Sequence, residues 1–261
     1  MAARIREKKI AIIKTGSAAE PVASVYGDFE RWFTEGMGLE FEQVLVIDAP
    51  AGDPLPEFHE FDALLITGSS AMVTDRKEWS ENLAGWLRAL FPTTKPVLGV
   101  CYGHQIIADA LGGEVGRNPE GREIGTISVD FSGAELANDP VLGGLSGPLP
   151  AQSSHSQTVL KLAPGFRAFA KSDKDPHQAC FAPPACWTVQ FHPEFRGDVM
   201  GAFIELRAEN LRAEGLDDQK LLAGVGDSPE VAGLLKRFAA LVFAQGDSSS
   251  SLTDAQADSD N

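Results

Sequence analysis

Pro96-Val97-Leu98-Gly99-Val100-Cys101-Tyr102-Gly103-His104-Gln105-Ile106-Ile107-Ala108 is the stretch whose reading decides the fold. An apolar run with strand character meets a Gly-x-Cys-x-Gly turn, and a helix follows. This is the strand–turn–helix of a nucleophile elbow, with cysteine in place of serine. The tight turn needs small neighbours, here Gly99 and Gly103. It lifts the Cys101 sulfur beyond the sheet edge and sets it at the first turn of a helix. Unpaired backbone N–H groups at that turn favour the thiolate, which is the nucleophilic form.

Such a cysteine needs a base. Thr188-Val189-Gln190-Phe191-His192-Pro193-Glu194-Phe195 ends a predicted strand in His-Pro-Glu. The proline fixes the chain so that His192 and Glu194 can point the same way. His192 then serves as base toward Cys101, and Glu194 orients its imidazole, by the logic of a Ser-His-Asp triad.

Outward from the elbow, strands and helices alternate. Lys9–Lys14, Phe41–Ile47, Asp62–Ile66 and Pro96–Val100 read as strands. Asp28–Met37, Trp79–Phe91 and Tyr102–Leu111 read as helices with one apolar face. This alternation predicts an α/β fold, an open and mostly parallel sheet covered by helices. Ligands of such sheets lie beyond the carboxyl ends of the strands, so Thr67-Gly68 and Cys101 should face one pocket. After Gly113 the pattern changes to short strand-like segments, Glu123–Phe131, Val159–Leu162, Phe166–Ala170 and Gln178–Phe181. They predict an antiparallel extension that carries Ser154–Ser156 and His192 back to Cys101. From Asp198 the chain is helical again, and Val231, Leu234, Leu235, Phe238, Leu241 and Val242 form an apolar stripe that packs on the main body. Residues 1–244 are therefore expected to form one domain. Gln245–Asn261, rich in Ser and Asp with no basic residue, is expected to be disordered as a free chain.

The bulk properties exclude several classes. A net charge of −15 repels phosphate backbones, which argues against nucleic acid as a partner. No apolar run approaches the ~20 residues of a membrane helix, and the basic N-terminus lacks the apolar region of a signal peptide. The chain reads as cytosolic, with no membrane partner. Three cysteines do not suggest a disulfide framework, and a Cys180–Cys186 bond is disfavoured in that compartment. No Cys or His spacing matches a metal site. His104 reads as a helix-start or core histidine, and His59 and His177 as solvent residues.

Four segments together resemble class I, triad-type glutamine amidotransferase domains. They are Leu65-Ile66-Thr67-Gly68-Ser69-Ser70, Gly99–Gln105, Ser153-Ser154-His155-Ser156 and Gln190–Glu194, and the resemblance covers about residues 8–200. More narrowly, the chain is similar to a stand-alone branch related to the amidotransferase half of GMP synthase, a branch that also contains gamma-glutamyl peptidases. The resemblance implies a flavodoxin-like sheet and hydrolysis of a gamma-glutamyl amide with no cofactor. It implies an oxyanion hole formed by the N–H of Tyr102 and an N–H from the loop, supplied by Gly68 or Ser69. It further implies that Gln105 contacts the glutamyl group and that Ser154, His155 and Ser156 offer backbone groups to its alpha-amino and carboxylate. His155 is thereby left outside the triad.

Arg122 or Glu123 either fixes a substrate end or forms a surface ion pair, and Tyr26-Gly27-Asp28 is a second candidate for the pocket wall. The expected activity is release of glutamate and ammonia from glutamine. The ammonia could pass to a synthetase partner in trans, since no phosphate-cradling glycine loop follows residue 200. The alternatives are a free-standing hydrolase or peptidase of gamma-glutamyl conjugates, and an idle regulatory protein. The intact Cys101/His192/Glu194 set argues against the last.

Overall fold

The computed structural model describes residues 7–243. Its strands are β1 (Ile10–Lys14), β2 (Val44–Asp48), β3 (Ala63–Ile66), β4 (Val97–Val100), β5 (Glu114–Arg117), β6 (Glu123–Phe131), β7 (Gly147–His155), β8 (Gln157–Lys161), β9 (Arg167–Lys171), β10 (Ala179–Ala182) and β11 (Cys186–Val189). The helices are α1 (Glu20–Tyr26), α2 (Phe29–Met37), α3 (Glu78–Leu90), α4 (Tyr102–Ala110), α5 (Gly197–Leu206), α6 (Ala208–Ala213), α7 (Asp218–Ala223) and α8 (Pro229–Phe243). Nine strands form one sheet in the order β2-β1-β3-β4-β11-β10-β9-β6-β7, and β5 and β8 form a small antiparallel pair. Strands β2, β1, β3, β4 and β11 run parallel. Strands β10, β9, β6 and β7 continue the same sheet antiparallel, so most of the expected extension is the sheet itself and not a separate unit.

The inner parallel strands β1, β3, β4 and β11 are largely apolar on both faces because helices cover both. Alternation splits each strand between two cores. Ile10, Ile12, Leu65, Leu98 and Val100 pack with α2, α5 and α8, whereas Ala11, Ile13, Leu64, Ile66 and Val97 pack with α3 and α4. The stripe on α8 is buried at Val231, Leu234, Leu235, Phe238 and Val242, and Leu241 is only partly covered. It lies so close to α2 that a Cβ on Gly36 would come within 2.6 Å of Leu235 Cδ1.

Two local expectations change. Phe41–Gln43 is a 3-10 turn and not the start of a strand, because the Gln43 side chain accepts from Glu40 N–H at 2.9 Å and Phe41 faces solvent. Strand β7 is absent from the sequence reading because Pro148 and Pro150 break its pattern. It is the edge strand of the sheet, where a missing N–H is tolerated. The expectation for Gln245–Asn261 falls outside the described residues. No helix among the described residues is long and apolar enough to cross a membrane.

Candidate active site

Cys101 sits between β4 and α4 with φ 50° and ψ −99°, a region that residues with a Cβ avoid. Such backbone costs about 1–3 kcal/mol and persists where its surroundings over-determine it. Here three hydrogen bonds do so. Cys101 N–H donates to Val189 O at 2.8 Å, Gly103 N–H to Thr67 O at 3.1 Å, and Gln105 N–H to Cys101 O at 3.1 Å. They tie the carboxyl ends of β11 and β3 to the first turn of α4. The flanking glycines are required by space: a Cβ on Gly103 would lie 2.4 Å from Ile66 O, and one on Gly99 2.7 Å from Gly103 O.

His192 follows β11, and its N–H donates to Gln152 O at 2.8 Å, which joins the end of the parallel half to β7. Its Nδ1 lies 2.7 Å from Glu194 Oε1, and both side chains are buried. Phe195 stacks flat on the imidazole, with ring centroids 4.1 Å and planes 2° apart. Burial by itself would pull the His192 pKa down. The charges of Glu194 and Cys101, with hydrogen bonding to both, outweigh it and hold the pKa at about 10. The ring is thus fixed in position, in surroundings that favour its protonated form.

The loop after β3 closes over this pair. A Cβ on Gly68 would lie 2.7 Å from His192 Cε1 and 3.5 Å from Cys101 Cβ, so the position admits no side chain. The Gly68 carbonyl lies 2.9 Å from the Thr15 hydroxyl and 3.0 Å from that of Thr67, both buried. In a trans peptide the N–H points opposite to the carbonyl. The Ser69 N–H is therefore turned away from those buried hydroxyls, and no acceptor engages it among the described residues.

Ser69, Cys101, His192 and Phe195 border a cavity of about 280 Å³. Gln105 lines it. Its Nε2 donates to Gln157 O at 2.8 Å and to Gln190 Oε1 at 3.0 Å, so both amide hydrogens are taken and Oε1 remains. Ser154, His155 and Ser156 form the wall at the turn from β7 to β8. His155 is not directed at Cys101: Nε2 meets Glu123 Oε2 at 3.1 Å and Nδ1 meets Gln157 O at 2.9 Å.

The match to a family description decides the family. The model for class I glutamine amidotransferases matches residues 38–207. The chain belongs to the class I glutamine amidotransferase family. Among curated relatives of this amidotransferase domain, gamma-glutamyl peptidase 5 of Arabidopsis thaliana is 28% identical over 215 residues, 79% of this chain and 83% of that protein. A glutamine-hydrolysing GMP synthase component of Ignicoccus hospitalis is 32% identical over 156 residues, 59% of this chain and 78% of that one. The Saccharomyces cerevisiae protein YLR126C is 34% identical over 144 residues, 54% of this chain, and the chain spans 55% of its length. A solved glutamine amidotransferase of Thermotoga maritima superposes with a TM-score of 0.72 at 19% identity, over 90% of this chain and 98% of that one.

Several sequence expectations resolve in this amidotransferase domain. Glu123 turns inward, accepting from Ser172 Oγ and Gln178 Nε2 at 2.7 Å each, and does not line the cavity. Arg122 lines it, but its guanidinium is paired with Glu214 at 2.7 and 2.9 Å. Tyr26, Gly27 and Asp28 do not line the cavity. Asp28 instead accepts from Ala18 N–H at 2.7 Å and positions Ser17–Ala19, which do. His104 is buried in the core, Nδ1 2.8 Å from Thr188 Oγ1, and burial lowers its pKa to about 4. His177, expected in solvent, is half-buried with Nδ1 2.7 Å from Val159 O, while His59 is exposed. Cys180 and Cys186 are free buried thiols, and burial pushes both pKa values well up.

Sequence reading missed Phe195, Phe203 and Arg207. The aromatic after Pro-Glu was the one available signal. Nothing local marks Arg207, which reaches the cavity only because α5 packs against β6.

Proposed function

We propose that this domain hydrolyses the gamma-amide of glutamine through a Cys101–His192–Glu194 triad, releasing glutamate and ammonia. The observation that carries the reading is the imidazole of His192, held between the Glu194 carboxylate and the elbow cysteine. The Cys101 thiolate attacks the side-chain carbonyl carbon, and negative charge develops on the carbonyl oxygen. The first-turn N–H of Tyr102, which has no intrahelical acceptor, and the N–H of Ser69 receive that charge. The carbon–nitrogen bond breaks as His192 gives its proton to the leaving nitrogen, and a glutamyl thioester remains. Forming the thioester removes the sulfur's negative charge, one of the two that raise the His192 pKa. The neutral ring then takes a proton from water, whose oxygen attacks the thioester and frees glutamate and the thiolate. Gln105 Oε1 accepts from the substrate alpha-ammonium, and the Ser154–Ser156 turn holds the remaining alpha-groups.

In a glutaminase of this kind the ammonia goes to a synthetase partner in trans, in keeping with the relative from Ignicoccus hospitalis, a glutamine-hydrolysing component of GMP synthase. A second reading has the same chemistry with a larger leaving amine. It is favoured by the cavity, which extends past Cys101 and His192 to Phe203 and Arg207, and by the match to gamma-glutamyl peptidase 5 over 83% of that protein's length. Turnover of glutamine and of gamma-glutamyl dipeptides by the purified protein, with mass-spectrometric detection of the glutamyl adduct on Cys101, tests both. An adduct on another residue, or turnover without Cys101, would overturn the triad.

A further inference from the structure

We propose that Arg207 binds a carboxylate on the leaving amine, so that the favoured substrates are gamma-glutamyl amino acids or peptides and not amides of neutral amines. This rests on the second reading above, the same Cys101 chemistry with a leaving amine larger than ammonia.

Arg207 ends α5 and lines the same cavity as Cys101 and His192. Two guanidinium groups border that cavity, and they differ. Arg122 has its carboxylate, Glu214. Arg207 forms no ion pair and no side-chain hydrogen bond among the described residues, and its Nη1 is fully buried without a partner. Arg207 as a whole is half-buried, but a guanidinium with a buried, unpartnered Nη1 and no counter-ion is costly, and a ligand anion is the simplest group to complete it. Burial and the neighbouring charge of Arg122 lower its pKa, and the nearby Cys101 sulfur raises it. In a chain of net charge −15, such a cation stands out as a place for an anion to settle.

Position assigns the anion to the leaving group. The Arg207 guanidinium lies 4.8 Å over the Phe203 ring. Phe203 stacks on Phe195 at 5.2 Å, and Phe195 on His192 at 4.1 Å. A continuous stack thus leads from the ring that protonates the leaving nitrogen to Arg207. The groups suited to the glutamyl alpha-amino and carboxylate, Gln105 and the Ser154–Ser156 turn, stand on α4 and on the β7–β8 turn instead. The chemistry is unchanged: the thiolate adds, the carbon–nitrogen bond breaks, and His192 protonates a departing amino group whose own carboxylate rests on Arg207.

The test compares gamma-glutamylalanine, gamma-glutamylethylamide and glutamine on wild type, Arg207→Met and Arg207→Lys. We expect wild type to prefer gamma-glutamylalanine to the ethylamide in kcat/KM. Arg207→Met should lose roughly 10- to 100-fold on gamma-glutamylalanine, mainly in KM, and less than threefold on the ethylamide. Arg207→Lys should recover part of the difference. The ethylamide rate also reports that the variant is folded. Equal losses on all three substrates would overturn the inference, placing Arg207 on the glutamyl moiety or the thiolate. A wild type indifferent to the carboxylate would overturn it too, leaving gamma-glutamyl hydrolysis standing. Failure of wild type to cleave any of the three would remove the underlying reading itself.

Discussion

In the parallel half of the sheet, β1, β3, β4 and β11 are buried at every position, and their side chains are almost all apolar. In the antiparallel half, β6 and β7 bury Glu123, Gln152, Ser153 and His155 among apolar neighbours. Two of these polar groups are held by several partners at once: Glu123 by His155, Ser172 and Gln178, and Gln152 by Thr126 and the Gly226 carbonyl. The parallel half supplies a rigid edge on which strain can be held at one cysteine. The antiparallel half supplies a polar wall whose shape depends on distant partners. On the proposed mechanism the reacting groups fall mainly in the first half and much of the binding wall in the second, so substitutions in the two halves should fail in different ways.

The largest effect belongs to the parallel half. Cys101→Ala should lower turnover by roughly 10⁴-fold or more, with a melting temperature close to wild type. A glutamine-like electrophile should label Cys101 and spare the buried Cys180 and Cys186, read by peptide mapping. Retained turnover, or label spread over all three thiols, would break the comparison at its root.

Glu194→Gln should cost on the order of 10³ in kcat. It also has a signature in pH. The folded His192 pKa is raised to about 10 from an ordinary value near 6.5. The stability it contributes is therefore fully present below about pH 6.5 and is lost as pH rises through about 10. Glu194→Gln lowers the folded pKa, so stability should fall less between these pH values than in wild type, as measured by thermal melting across the range.

Gly68→Ala should cost roughly 10²-fold in kcat, since its Cβ would fall only 2.7 Å from His192 Cε1 and push the ring aside. The expected KM change is small, and crystallography of the variant should show the ring moved.

In the antiparallel half the order reverses. Glu123→Ala should destabilise by about 1–3 kcal/mol, because it removes the buried acceptor shared by His155, Ser172 and Gln178. It should raise KM for glutamyl substrates while leaving electrophile labelling of Cys101 intact. Loss of labelling would mean the two halves are not separable. Smallest of all, breaking the exposed Arg31–Glu35 pair on α2 should change stability by less than about 0.5 kcal/mol in chemical denaturation and leave kinetics unchanged.

By itself the sequence determined the elbow, the succession of strands up to β4, the amphipathic helices and the candidate base. Each of these depends on short-range rules: apolar alternation within a strand, a helical repeat, glycines where a turn leaves no room for a Cβ. The tertiary structure decided what is long-range. The edge position that admits Pro148 and Pro150 makes β7 a strand, although the local pattern opposes it. The Thr15 and Thr67 hydroxyls fix which way the Gly68–Ser69 peptide faces. Glu123 and Arg122, adjacent in sequence, point to opposite environments, one into a buried polar network and one to the cavity. Arg207 reaches the cavity only because α5 places it over Phe203, at the end of a stack that begins on His192. Burial and partner choice depend on residues far apart in the chain, and no window of sequence contains both members of such a pair.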